Sequence, residues 1–180
     1  MTDRRVALLR GINVGTAKRI AMADLRKLFE DLDHADVRTI LNSGNVVFTP
    51  ARKSGASDVA RIENEIADRL GVKTRVTVLT GKDLATAIRD NPLTSVADDP
   101  ARLLLVVVRD RATVARIEPL LEERWAPEAL ALRKRIAYLW CAGGISDSRL
   151  WTAVNRAGGA SVTGRNLATM TKLLALVEGS

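Results

Sequence analysis

Aromatic side chains are scarce in this chain: two Phe, three Trp and one Tyr make up 3% of 180 residues. The core must therefore be packed mainly by Leu, Val, Ile and Ala. A single cysteine, Cys141, excludes an internal disulfide framework. A single histidine, His34, leaves little room for His-centred acid–base or triad chemistry. No Cys/His/Asp spacing suggests a metal site, no glycine-rich motif is complete for a cofactor, and neither a metal nor a cofactor is expected. Apolar runs such as Leu103–Val108 are far too short to cross a bilayer. The start, Met1-Thr-Asp-Arg-Arg5 and a brief apolar stretch, lacks the apolar centre of a signal peptide, and the expected compartment is the cytoplasm.

What the sequence does hold is charge, unevenly placed. Lys+Arg 28 against Asp+Glu 21 gives +7 and a pI near 10.2. Residues 81–128 carry 7 basic and 9 acidic side chains, residues 129–180 carry 7 and 2, and residues 1–80 carry 14 and 10. A field of this kind can draw phosphate-bearing partners toward one region, although net charge speaks to association and solubility and not to a site.

The periodicities set out an α+β chain. Val6–Leu9 reads as a buried strand and Gly11-Ile-Asn-Val-Gly15 as a loop. Met22, Leu25, Leu28, Phe29 and Leu32 mark an amphipathic helix; Val37–Leu41 and Val46–Thr49 form a hairpin about Asn42-Ser-Gly-Asn45. Val59, Ile62, Ile66 and Leu70 mark a second helix, with Ser57 as N-cap and Gly71 as stop, and Arg75–Leu79 closes the unit as a strand. Thr80-Gly-Lys-Asp83 resembles a capping box opening a connecting helix that Asn91-Pro92 stops, and Thr94–Pro100 is the most loop-like stretch. The second half repeats the order. Strand Leu103–Val108 precedes a helix with Val114, Ile117 and Leu121, in which Pro119 either kinks the helix or begins a new turn. Strands through Leu130–Leu132 and Ile136–Trp140, a helix with Leu150, Trp151 and Val154 stopping at Gly158-Gly159, a short strand Ser161–Thr163 and a final helix complete the chain. The expectation is two tandem ferredoxin-like (βαββαβ-type) units with antiparallel sheets packed against helices, spanning 1–80 and 101–180 and joined by a helix and loop at 81–100.

Several stretches together look familiar. Val6-Ala-Leu-Leu-Arg-Gly-Ile-Asn-Val-Gly15 with Met22, Leu25 and Arg26, and Asp36-Val-Arg-Thr-Ile-Leu-Asn-Ser-Gly-Asn-Val-Val-Phe48, resemble the bacterial family catalogued as domain of unknown function 1697. Asn91-Pro92-Leu93 and the C-terminal set Ser148, Leu150, Thr163, Arg165, Asn166, Thr169, Lys172 and Leu173 are similar to it too. The chain departs from that pattern at Thr16-Ala17, where the family more often continues with glycine, and at Leu167, where it tends to have Trp. The resemblance implies the fold and brings no activity with it.

Two polar clusters are candidates for an anion. Arg165, Asn166, Thr169 and Lys172 are spaced to line one side of a C-terminal helix start, where free N–H groups and the dipole favour negative charge and Arg offers a planar fork. The plainer reading is a solvated face with Asn166 as N-cap. The second cluster is Arg10 with Asn13, joined by Ser43 and Asn45 as secondary members, although Asn42–Asn45 is equally what a tight turn with positive φ demands. Ser148 is a further secondary candidate. No catalytic residue is named: His34 sits among Asp31, Asp33 and Asp36 as a solvated corner, Cys141 reads as a buried thiol, and Glu118-Pro-Leu-Leu-Glu-Glu123 as an exposed helix face. Tyr138 and Trp140 share one strand face, expected to pack under a helix, so recognition of the RRM kind is disfavoured.

Three functions follow as expectations. The first is a non-catalytic binder of a phosphate- or carboxylate-bearing ligand at a basic cleft. The second is sequence-tolerant nucleic-acid binding through the basic C-terminal region, with affinity falling steeply with salt. The third is a protein-interaction or assembly module.

Overall fold

The alternating apolar runs of the first 80 residues form a four-stranded antiparallel sheet in a computed structural model that describes residues 3–16, 19–51 and 56–179. Strands β1 (Arg5–Leu9), β2 (Ala35–Ile40), β3 (Asn45–Thr49) and β4 (Val76–Thr80) lie in the order β2-β3-β1-β4. Helices α1 (Met22–Asp31) and α2 (Ala56–Leu70) cover one face. Alternation along the strands turns Ala7, Leu9, Val46, Phe48 and Val76 toward Leu25, Leu28 and Phe29 of α1 and Ile62 and Ile66 of α2, all buried. Ser57, read as an N-cap, lies inside α2, which begins at Ala56.

The second half builds a sheet of the same kind. Strands β5 (Leu103–Val108), β6 (Ala129–Arg133), β7 (Ile136–Trp140) and β8 (Val162–Asn166) lie in the order β6-β7-β5-β8, again antiparallel throughout. Leu104, Val106, Val108, Ala137, Leu139, Cys141 and Val162 face α4 (Arg111–Ile117) and α5 (Arg149–Gly158) through Ile117, Leu150 and Val154. Both units thus have the strand order of the ferredoxin-like arrangement read from the sequence. Pro119 does not kink α4. It opens a separate 3-10 turn, Glu118–Glu122, where its missing N–H costs nothing.

The connecting helix α3 (Gly81–Arg89) starts at the capping box: the Thr80 N–H and hydroxyl both donate to Asp83, and the Asp83 N–H donates back to Thr80 Oγ1 at 3.1 Å. The chain divides into two compact units, residues 1–84 with 173–180, and residues 85–172. The sequence blocks 1–80 and 101–180 did not separate the last eight residues from the second unit. Those residues end helix α6 (Leu167–Glu178), where Val177 leaves no room for a Cβ at Gly81.

In the second unit the face carrying Tyr138 and Trp140 is buried, at 1% and 8% exposure. The Tyr138 hydroxyl donates to the Ala87 carbonyl of α3 at 2.6 Å, and burial first, then Asp90, pushes the phenol up to about 12. These rings are structural anchors, closed to stacking bases.

Candidate functional site

In the first unit, the loop after β1 and the turn between β2 and β3 are fastened to each other. Asn13 makes the fastening. Its side-chain amide donates to the Ile20 carbonyl at 2.9 Å and to the Asn42 carbonyl at 2.7 Å, and its Oδ1 accepts from the Ile20 N–H at 2.8 Å. Beneath it the Leu9 N–H donates to the Gly44 carbonyl at 2.9 Å. Gly44 has φ +81, and a Cβ there would lie 2.8 Å from both Ile12 Cδ1 and Leu9 Cβ. Only glycine meets both demands. Asn45, fully buried, donates to the Ile40 carbonyl at 2.8 Å and to Ser43 Oγ at 2.9 Å, which shapes the turn.

The polar candidates Asn13, Ser43 and Asn45 therefore spend hydrogen-bonding capacity inside the protein. Arg10 is half-buried with its guanidinium held below the usual range by desolvation, while its backbone is pinned by Arg75 and by Thr74 Oγ1. Of the departure at Thr16-Ala17, Thr16 is an exposed turn residue and Ala17 lies outside the described residues.

The junction presents apolar side chains to water, and sequence reading missed them. Val14 and Leu41 are 65% and 54% exposed. Leu41, read as the end of a strand, lies one residue beyond β2 with φ +58, in the left-handed region that costs a leucine roughly 1–2 kcal/mol. The three Asn13 hydrogen bonds, at about 1 kcal/mol each, are sufficient to offset it. Beside Val14, the exposed Arg19 donates to the Gly15 carbonyl at 2.9 Å. The signal in the sequence was faint: an aliphatic residue between Asn13 and Gly15, and another directly before a turn.

The second cluster belongs to the other unit and departs from the sequence reading. Arg165 and Asn166 end strand β8 instead of opening the helix, with Arg165 opposite Leu105 and Asn166 opposite Leu104. They therefore do not share a helix side with Thr169 and Lys172. Asn166 is the N-cap of α6, its Oδ1 accepting from the Thr169 N–H at 2.8 Å, and the Ala168 N–H donates to the Pro100 carbonyl at 3.2 Å. Thr169 is 8% exposed, Lys172 is exposed, and Leu167, the second departure from the family pattern, begins the helix. Arg165 is half-buried; its Nη1 donates to the Gly164 carbonyl at 2.8 Å, and desolvation brings the guanidinium down to about 10, so it stays charged at neutral pH.

Ser148 is likewise a cap, on α5. It accepts from the Trp151 N–H at 2.9 Å and donates to Glu128, whose other oxygen accepts from the Leu150 N–H at 3.3 Å. That helix start already holds a carboxylate of the chain itself. Cys141 is buried, and burial pushes its thiol up, away from reactivity. Among the described residues no group of His, Cys, Asp and Glu could hold a metal ion, and no helix is long and apolar enough to cross a membrane.

Comparison with known proteins agrees with the architecture. A family model described as "Protein of unknown function (DUF1697)" matches residues 1–138. A solved structure, conserved bacterial protein SP0830 from Streptococcus pneumoniae, is similar with a TM-score of 0.78 and 24% identity over 98% of each chain. At that identity the likeness is one of fold. No curated protein matches.

Proposed function

The chain belongs to the DUF1697 family, and within it we propose that this protein is a non-catalytic binding module that docks a partner protein on the loop junction of its first unit. One observation carries the reading: Val14 and Leu41, the two most exposed large apolar side chains described, sit on two loops that Asn13 ties together. Backbone strain held beneath an exposed apolar side chain costs stability without gaining burial, and such strain gathers at ligand clamps and binding sites. A rigid platform also loses little conformational freedom when it binds.

The magnitudes limit what this surface does alone. Fully burying a Val or Leu is worth about 1.5–3 kcal/mol, and these two are already partly covered. Together they supply roughly what a millimolar complex needs before the costs of association. The partner must add polar or ionic contacts.

Panning a displayed random-peptide library on the full chain tests the reading. Binders are expected whose affinity falls at least tenfold in Leu41→Asp and in Val14→Asp. A library that returns only binders indifferent to both changes overturns it.

A second reading, a small phosphate- or carboxylate-bearing ligand at Arg165, is favoured by the desolvated guanidinium there. Inorganic phosphate, nucleotides and small carboxylates are its probes in a thermal-shift panel. Stabilisation that persists in an Arg165→Ala, Lys172→Ala double variant removes these residues from that account.

A further inference from the structure

We infer that the partner segment taken by this junction is acidic: a peptide stretch that places one or two aliphatic or aromatic side chains on Val14 and Leu41 and its carboxylates against the surrounding cations. This rests on the binding-module reading and adds the chemistry of the partner. The two loops are complementary in charge to such a segment. The segment Leu9–Thr16 with Arg19–Ala23, which forms one side of the junction, contains Arg10 and Arg19 and no acidic residue. The other side, Val37–Ala51, contains Arg38 and again no acidic residue. Helices α1 and α2 of the same unit mix their signs. Along α1 Arg26 pairs with Glu30 at 2.8 Å and Lys27 with Asp31 at 3.0 Å, and Arg69 of α2 reaches Asp31. The two loops that carry the exposed apolar pair thus lack the carboxylates that neutralise the cations of α1.

Placement supports the same conclusion. Arg19, exposed, is held by the carbonyl of Gly15, the residue after Val14, so a cation stands beside one member of the apolar pair. An apolar centre with a charged rim is the usual anatomy of a protein-binding patch, in which rim charges steer encounter and select partners by sign. Nucleic acid fits this surface less well: Leu9–Ala23 holds no aromatic residue, and Phe48, the aromatic of Val37–Ala51, is 1% exposed, leaving no ring on which a base could stack. A lipid surface fits less well too, since interfacial binding uses a long apolar helix face and here two side chains protrude.

The test is peptide selection on the full chain, followed by fluorescence anisotropy of the enriched peptides at low and high salt. Circular dichroism checks the fold of each variant. The inference expects enriched peptides rich in Asp and Glu with an aliphatic or aromatic residue. Affinity is expected to fall at least tenfold in Leu41→Asp, at least fivefold in Arg19→Glu, and severalfold between 50 and 300 mM salt. Because Leu41→Asp also adds a negative charge, Leu41→Asn serves as the second variant and is expected to lose most of the affinity as well. Enriched peptides that depend on Leu41 yet are neutral or basic, or that ignore Arg19→Glu, overturn the acidic partner and leave the binding module standing. Peptides indifferent to Leu41 and Val14 overturn both. A single-stranded oligonucleotide or anionic vesicles bound more tightly than any peptide, with loss in Leu41→Asp, overturn the acidic-peptide assignment in favour of that class.

Discussion

The Asn13 side-chain amide donates to the Asn42 carbonyl at 2.7 Å across 29 residues of sequence, and with its two bonds to Ile20 it holds the loop after β1 against the β2–β3 turn. Replacement by alanine removes all three and leaves an alanine at φ +55. Asn13→Ala is expected to cost about 2–4 kcal/mol in urea denaturation. Asn13→Gly, which relieves φ but not the bonds, is expected to cost less. Equal losses in the two variants would mean that backbone strain contributes nothing.

Leu41 offers the opposite sign. Its side chain is half in water and its backbone is left-handed. Asparagine tolerates that conformation better, so Leu41→Asn is expected to raise stability by about 0.5–1 kcal/mol. A drop in the denaturation midpoint would show that Leu41 is held by packing and is not kept for binding.

His34 sits against Phe48 and Phe29, with ring centroids at 4.7 and 5.8 Å, and its Nδ1 is buried with no hydrogen-bond partner among the described residues. Burial is the largest cause lowering its proton affinity; Arg61 also lowers it, while Asp58 and Asp33 act the other way. The unfolded chain therefore takes up the proton first. The stability associated with neutral His34 is present above about pH 6.5 and is lost as pH falls from there toward the lower folded value. His34→Leu is expected to flatten the slope of unfolding free energy between pH 7 and 5, and an unchanged slope would assign it to other groups.

Tyr138 is the chain's single tyrosine, which makes its phenol readable in isolation. With the folded value up at about 12 against about 10 unfolded, no phenolate absorbance is expected at pH 10.5 while the far-ultraviolet dichroism is native. Stability is expected to fall as pH rises from 10 toward 12, because the unfolded state releases this proton first. Tyr138→Phe, which leaves the Ala87 carbonyl without its donor, is expected to cost about 1–2 kcal/mol. A native spectrum with half-formed phenolate at pH 10 would contradict the buried hydrogen bond.

Much of the fold was legible because periodicity is local. Helical spacing in Val59, Ile62, Ile66 and Leu70 announced α2, and Thr80 with Asp83 announced the start of α3. The candidate site was legible only in part. Strand β8 runs on through Gly164, Arg165 and Asn166 because β5 offers Val106, Leu105 and Leu104 as partners, and that register is set by residues some 60 positions away. No apolar alternation marks it, so the residues looked like a helix start. Asn13 was recognisable as a special position between two glycines, but not as a clasp, since its partners Ile20 and Asn42 meet only in the folded unit. Leu41 fitted a strand pattern by hydrophobicity, and its exposure follows from turn geometry that hydrophobicity does not report.

The division of the chain has a consequence for how the protein is made. The first unit includes residues 173–180 as well as 1–84. During synthesis its N-terminal strands leave the ribosome long before Leu173 and Val177, both buried, have been polymerised. The unit that emerges first is completed last, so a premature stop near residue 172 would damage the beginning of the protein.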